Sequence, residues 1–202
     1  MSLLTEGKIL LTESNQMRSL IRTIIRDLIV VFKSEDEGEF YLPEYFEDRD
    51  EMIYDIKKFN IPIIIELSLN YGDTLEVDGE YYRNEDIIRI YVTYDPENKK
   101  ESLYDLIGEL NELLAHELTH IVQKYSNTYN LNVVEPEKPL DYYTQEHELE
   151  AQVKGFRRLS KLTKRPFELV VRRWFDTHKN LHNLTDDEVN IVIDKILNFR
   201  KK

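Results

Sequence analysis

The sequence predicts an α+β fold, in which a small β-sheet with a hairpin packs on a central helix and a helical C-terminal half follows. Apolar residues recur at helical spacing from Leu103 to Val122, which indicates the central helix. Before it, residues 61–69 and 87–94 have the apolar content and the alternation of strands. After it, residues 144–197 contain three further segments with helical periodicity.

Composition restricts the classes of function that this chain can have. The 202 residues are 41% hydrophobic and 33% charged, which suits a globular protein. The absence of cysteine excludes disulfides, cysteine metal ligands and thiol nucleophiles. A net charge of −12 argues against nucleic-acid binding, because phosphates attract positive charge. We therefore expect no nucleic-acid partner. Neither a membrane-spanning run nor a signal peptide is visible, so we expect no membrane partner. We expect a cytoplasmic location, or association with a virion if a phage encodes the chain.

The N-terminal part is predicted to be helical. Residues 13–33 carry apolar side chains on one helical face and a basic stripe beside it. We divide the chain into an N-terminal helical arm, residues 1–33, and one domain, residues 34–202. An ordinary amphipathic helix packed on the domain is the simpler interpretation of the arm, and a detachable or partner-docking segment is the functional one.

The next segment is acidic and leads into the sheet. Residues 34–55 contain ten Asp or Glu against the single basic Arg49, with aromatic and aliphatic residues among them. This composition predicts a loop and then a short helix from about Pro43 to Phe59. Residues 61–69 are then predicted to form a buried strand.

Two more strand signals precede the central helix. Asp78-Gly79 is a strong signal for a hairpin turn, so we expect the chain to reverse there, between strands 75–77 and 81–82. Residues 87–94 alternate between apolar and polar side chains and are predicted to form a half-buried strand.

The C-terminal half is predicted to be a loop followed by three helices. Prolines and asparagines between Ser126 and Asp141 indicate the loop. Helices are expected over residues 144–162 and 166–178, and a last helix begins after a capping box formed by Thr185 and Glu188.

A basic region lies between Lys154 and Arg173, with eight Lys or Arg and one Glu. It could bind an acidic protein partner, or it could face the chain's own acidic residues 34–55. Both interpretations stay open.

The chemistry of the chain is concentrated at His116-Glu117-Leu118-Thr119-His120, within the central helix. Helical positions four apart lie one turn above each other, so His116 and His120 can direct two imidazoles at one point. Glu117, one step round the helix, can reach a water bound there. The spacing predicts a zinc site with a general base beside it. The alternative is an exposed helical turn with two unrelated histidines.

Residues 116–120 match the signature of the zincin metallopeptidases, and the order of strand and helix around them is similar to theirs. The resemblance implies a zincin-like fold, bound Zn²⁺ and peptide or protein substrates. It also implies that strand 87–94 lines the cleft and pairs with an extended substrate. The subclass with a glycine and a third histidine after the second histidine is excluded, because those positions are Gln123 and Ser126. Subclasses with a glutamate nineteen or twenty residues on are excluded by Pro139 and Leu140.

A glutamate on the following helix remains as the third ligand. Residues 142–151 resemble the Tyr…Glu-x-Glu-Ala element of small zinc peptidases of phages and bacteria, and they contain the Glu-x-x-Ala spacing of the glutamate-type zincins. The match departs at Glu146, where a proline is frequent.

Helix geometry distinguishes the candidate carboxylates. Glu148, Ala151 and Gly155 share one face, and the two small residues permit close approach to another helix. Glu150 instead aligns with Lys154, which suits an exposed face. We favour Glu148 as the third ligand; the alternatives are Glu150, His147 and Asp141.

A second histidine pair, His178 and His182, also has a spacing of four. Lys179 stands where the metallopeptidase signature has glutamate, and asparagines flank the pair. We expect no metal site there.

These observations predict a zinc-dependent endopeptidase. His116, His120 and Glu148 would hold Zn²⁺, and Glu117 would take a proton from the zinc-activated water and deliver it to the leaving amine. Tyr142 or Tyr143 could stabilise an oxyanion, although a structural role is simpler in a chain with thirteen tyrosines. The alternative is a non-catalytic zinc-binding structural or partner-binding protein, such as a virion component or a regulator. An intact Glu117 argues against that alternative, because a structural site needs no base.

Overall fold

The computed structural model describes residues 3–46, 54–56, 61–127, 129, 138–178 and 183–201. Residues 3–14, 55, 56 and 61 are described by their backbone only. The chain forms two compact units, Met1–Ile107 and Gly108–Lys202. It is a mixed α+β protein, as predicted. The division into an arm and a domain after residue 33 stays a prediction, and so does the packing of the sheet on the central helix.

The first unit consists of a long helix and a β-sheet. Its elements are α1 (Leu3–Ser34), β1 (Gly38–Tyr41), α2 (Leu42–Tyr45), β2 (Tyr54–Ile56), β3 (Ile61–Tyr71), β4 (Glu76–Tyr82), β5 (Ile87–Tyr94) and a 3₁₀ turn (Pro96–Asn98). The strand order is β1-β3-β5-β4, and β2 pairs with the first residues of β3. Strands β3 and β5 are parallel, and the other pairings are antiparallel.

The core of the first unit lies between α1 and one face of the sheet. Alternate residues of β3 and β5 are buried and lie opposite one another in register, because successive side chains of a strand point to opposite faces. Phe32 of α1 contacts Tyr94 of β5 edge to face, with ring centroids 4.9 Å apart. The hydroxyl of Tyr54 donates to the fully buried carboxylate of Asp27 at 3.0 Å. The second half of α1 therefore belongs to this core.

The predicted hairpin turn at Asp78-Gly79 is wrong. Both residues lie inside β4, where Gly79 pairs with Ile90 of β5. The chain reverses at residues 83–86 instead, where Asp86 has a left-handed backbone (φ 57°) and accepts a hydrogen bond from the Tyr81 hydroxyl. Pairing along the whole of β5 has overridden the local turn preference of Asp-Gly.

The predicted short helix from about Pro43 to Phe59 is confirmed at its start and wrong at residues 54–56. Helix α2 ends at Tyr45, and residues 54–56 form β2, which pairs with the start of β3. The remainder of the predicted helix, residues 47–53 and 57–60, lies outside the described residues. Acidic content did not reveal strands in this segment, because pairing with β3 depends on residues distant in the sequence.

Strand β5 is not available to an extended substrate. It lies between β3 and β4 and is hydrogen-bonded to both along its length. An added strand needs an unpaired sheet edge, so the pairing implied by the zincin resemblance does not hold for residues 87–94.

The second unit is helical where it is described. Helix α3 (Leu103–Ser126) crosses the boundary between the units, and the following helices are α4 (Pro139–Tyr143), α5 (Glu146–Thr163), α6 (Phe167–His178) and α7 (Asp186–Phe199). The three long helices after α3 confirm the predicted ones. Helix α4 begins inside the segment that was predicted to be loop. In the described part of the chain, no helix is both long and apolar enough to cross a membrane.

A common core joins α5, α6 and α7. Phe156 of α5 and Phe175 of α6 are almost completely buried, with ring centroids 6.2 Å apart, and Val192 and Ile196 of α7 belong to the same cluster. Burial of this many apolar side chains fixes the rotation of α5 about its axis.

Part of the basic region between Lys154 and Arg173 makes internal contacts. Arg158 Nε donates to Asn111 Oδ1 at 2.9 Å, and Arg172 contacts Glu168 one turn away at 2.9 Å. The acidic partner expected there stays a prediction.

The capping box at the start of α7 is confirmed and has a measurable electrostatic signature. Thr185 donates its backbone N–H to Glu188 Oε2 at 2.9 Å, and Glu188 donates its own N–H to Thr185 Oγ1 at 3.3 Å. The hydrogen bond from the Thr185 backbone, followed by that from its side chain, lowers the pKa of Glu188.

We expect the Thr185→Val variant to raise the pKa of Glu188 towards its ordinary value of about 4.3, because valine keeps the backbone donor but lacks the hydroxyl. A lowered pKa in the folded state means that the cap stabilises the protein above about pH 4.3, and that this contribution is lost as the pH falls through the folded-state pKa. Carboxyl-detected NMR titration measures it. Thr177→Val, on α6, is the control and should leave Glu188 unchanged; an ordinary Glu188 pKa in the wild type would contradict the cap.

Candidate metal centre

Two helices of the second unit carry the candidate site. His116 and His120 are one turn apart on α3, and buried apolar residues on both sides of the pair hold this face of the helix in place. Glu148 lies in the first turn of α5, where the helix dipole favours a carboxylate. The core that α5 forms with α6 and α7 fixes the direction in which this glutamate points.

The structure brings His116, His120 and Glu148 together. The Nε2 atoms of the two histidines are 3.0 Å apart, and each lies 3.4 Å from an oxygen of Glu148. One ligand atom from each residue lies within 4.8 Å of the other two. This group could hold a metal ion.

Glu148 is a buried carboxylate surrounded by imidazoles. Its side chain is 1% exposed, and His147 Nε2 also lies 3.4 Å from Oε1. Burial raises the pKa of Glu148, but the nearby imidazoles of His116, His120 and His147 lower it more, so the net pKa lies far below the usual range. Oε2 has no well-directed hydrogen bond to any group in the described part of the chain.

His120 is held from both sides of its ring. Burial lowers the pKa of His120. The hydrogen bond and charge of Glu148, the charge of Glu117 and the hydrogen bond with Gln123 together raise it by more, so the net pKa is raised. On the other side of the ring, Nδ1 lies 2.9 Å from Oε1 of Gln123. His116 is the more exposed of the two, at 17% of its side chain, so solvent reaches the group on the His116 side.

Two further side chains lie beside this group. Oε1 of Glu117 is 3.9 Å from His116 Nε2, close to a ligand atom but outside the three-residue group. Burial, and then the negative charges of Glu148 and Glu117, raise the pKa of the Tyr142 phenol. Tyr142 therefore keeps its proton at neutral pH and can donate a hydrogen bond next to both carboxylates.

The alternatives to Glu148 lie outside the three-residue group. Glu150 accepts a hydrogen bond from Gln123 Nε2 at 3.1 Å, and Asp141 is exposed on α4. His147 contacts Glu148 but is not part of the group that could hold a metal. In the second histidine pair, His178 stacks on Trp174 with ring centroids 4.5 Å apart, and His182 lies outside the described residues.

Gly155 allows the close helix approach that its small size suggested. A Cβ at this position would lie 2.5 Å from Glu112 Oε1 and 3.0 Å from the Glu112 backbone oxygen on α3. Glu112 is itself buried, and burial, followed by the charges of Glu109 and Glu117, raises its pKa well above the usual range. The carboxyl group of Glu112 thus packs against α5 one turn before His116.

Sequence reasoning missed Gln123 and Glu112. Both lie on the same helix as the histidines, at polar positions among apolar ones, and that placement was the available signal. Their roles depend on contacts with α5, which helical spacing on α3 cannot reveal.

Comparison of the chain with protein-family models, with curated proteins and with solved structures gave no match. The interpretation of the site therefore depends on its own geometry.

We expect Gly155→Ala to destabilise the protein by about 1–3 kcal/mol, the usual cost of overpacking, because the new methyl group would collide with Glu112. Gly108→Ala on α3 is the matched control. Its Cβ would meet only Leu159 Cδ1 at 3.7 Å, an ordinary contact, so alanine should stabilise the helix by about 0.5–1 kcal/mol. Urea unfolding measures both changes; a Gly155→Ala variant as stable as wild type would show that the helices can separate without cost.

We expect Glu148→Gln to lose tightly bound metal, because one of the three ligands loses its charge, and Glu150→Gln to keep close to one metal ion per chain. Both changes preserve the size of the side chain. Metal content after dialysis measures the result, with circular dichroism to show that each variant is folded. Loss of metal from the Glu150 variant and retention by the Glu148 variant would identify Glu150 as the ligand.

Proposed function

We propose that this chain is a zinc-dependent endopeptidase with a zincin-like catalytic unit. The observation that carries the proposal is the convergence of His116, His120 and Glu148, with the carboxylate of Glu117 beside them. The resemblance to the zincin fold adds little support for this activity, because one fold can carry many functions and the function depends on the residues of the site.

The spacing of the three ligand atoms fits a tetrahedral ion. Metal–ligand bonds of about 2.0–2.1 Å place neighbouring ligand atoms about 3.3 Å apart. The distance between the two histidine nitrogens is 3.0 Å, and each lies 3.4 Å from Glu148. Two imidazole lone pairs that face each other at such a distance repel, so a proton or a cation must lie between them.

The donor set suits a transition-metal ion such as zinc better than Ca²⁺ or Mg²⁺. Two imidazoles and one carboxylate suit Zn²⁺, whereas Ca²⁺ and Mg²⁺ prefer sites made wholly of oxygen atoms. The buried Oε2 of Glu148, which lacks a hydrogen-bond partner among the described residues, fits the same conclusion. A buried carboxylate oxygen is costly unless a proton donor or a cation satisfies it.

Each residue has a separate role in the proposed reaction. Zinc held by His116, His120 and Glu148 would supply Lewis acidity for the scissile carbonyl and a lowered pKa for the attacking water. Glu117 takes a proton from that water as its oxygen adds to the carbonyl carbon. Glu117 then gives the proton to the amine nitrogen as the C–N bond breaks. Tyr142, which stays protonated, donates a hydrogen bond to the developing oxyanion.

We expect Glu117→Gln to bind zinc as wild type does and to hydrolyse peptides at least about 10²–10⁴-fold more slowly, because glutamine keeps the shape but cannot transfer the proton. The assay follows a mixed peptide library by mass spectrometry, with a chelated sample beside each protein. Glu168→Gln, an exposed change on α6, is the control and should keep full activity.

Equal cleavage by wild type and Glu117→Gln would refute the role of Glu117. If the wild type binds zinc but shows no zinc-dependent cleavage, the non-catalytic alternative replaces the peptidase.

A further inference from the structure

Gln123 is a buried glutamine that joins the two helices of the metal centre. It lies one turn after His120 on α3 and is 2% exposed. Its side-chain nitrogen donates to the backbone oxygen of His147 at 2.9 Å and to Glu150 Oε2 at 3.1 Å. Its side-chain oxygen lies 2.9 Å from His120 Nδ1. All the polar atoms of this buried amide are thus hydrogen-bonded.

These partners fix the orientation of the amide. A backbone carbonyl and a carboxylate can only accept hydrogen bonds, so the NH₂ group of Gln123 must face His147 and Glu150. The carbonyl oxygen of Gln123 must then face His120, and it can only accept. His120 therefore carries a proton on Nδ1, which leaves the lone pair of a neutral ring on Nε2. Nε2 is the atom directed at Glu148 and His116.

We propose that Gln123 is a positioning residue of the metal centre, which holds His120 in the tautomer that presents Nε2 to the metal and ties that ring to the first turn of α5. The inference rests on the proposed metal site and adds a residue to it. Metal-binding histidines commonly donate their second ring N–H to a carbonyl or carboxylate group, and losing that partner typically weakens metal binding about 10–100-fold.

The same amide also sets the distance between the ligands. His147 and Glu150, its two acceptors, flank Glu148 in the first turn of α5. The Gln123 side chain thus holds the ring of His120, the ligand on α3. It also holds Glu148, the ligand on α5, through the residues on either side of it. Glu150, an alternative third ligand on sequence grounds, becomes an anchor for Gln123 in this arrangement.

The test compares two equally buried glutamines in the full-length protein. Gln123→Leu removes all three hydrogen bonds. Gln152→Leu, on α5, removes an amide that is 3% exposed and has no hydrogen-bond partner among the described residues. Zinc affinity is measured by competition with a chromophoric chelator. We expect affinity to fall about 10–100-fold in Gln123→Leu and to stay within about twofold of wild type in Gln152→Leu.

A second measurement reports the tautomer directly and needs no variant. Imidazole ¹⁵N shifts of His120 are recorded in the metal-free wild type, at a pH above the titration of this ring. We expect protonated Nδ1 and bare Nε2; the opposite tautomer would overturn the proposal. Undiminished affinity in Gln123→Leu, or equal losses in both leucine variants, would also overturn it. Absence of zinc binding by the wild type would refute the metal centre itself. The tautomer measurement is made on metal-free protein, so its result does not depend on zinc binding.

Discussion

The second unit depends on the contact between the buried carboxylate of Glu148 and three imidazoles. An isolated carboxylate would not stay ionised at 1% exposure, because burial strongly favours its neutral form. His116, His120 and His147 reverse that preference, and the contacts of His116 and His120 with Glu148 join the first turn of α5 to the middle of α3. The core of α5, α6 and α7 does more than stabilise the fold, because it also keeps the carboxylate of Glu148 facing the histidines.

Much of this arrangement could be predicted from the sequence, because it depends on short helical spacings. The separation of His116 and His120 by four residues places both rings on one face whatever surrounds the helix. By the same helical spacing, Glu148 shares a face with Gly155 whereas Glu150 does not. This difference is why the sequence favours Glu148 as the third ligand. In both cases the information lies within one turn or two of a single helix.

The predictions that were wrong or incomplete concern contacts between distant segments. Asp78-Gly79 has a strong preference for a turn, but its backbone groups lie in the ladder with β5. The strand at residues 54–56 forms because β3 offers it an edge. Gln123 is similar: its spacing from His120 suggests a contact, but its partners on α5 cannot be read from α3 alone.

The contact between Gly155 and Glu112 has a consequence for how this sequence can diverge. The side chain at position 112 occupies the volume that a Cβ at position 155 would need, so the two positions share one space. A shorter residue at 112 removes the 2.5 Å contact that a Cβ at 155 would make with Glu112 Oε1, but the contact with the backbone oxygen at 3.0 Å remains. Changes at the two positions are therefore not additive, and only the smallest side chains fit at 155. Related chains should keep glycine or alanine at 155, and alanine only where the residue at 112 is shorter than glutamate.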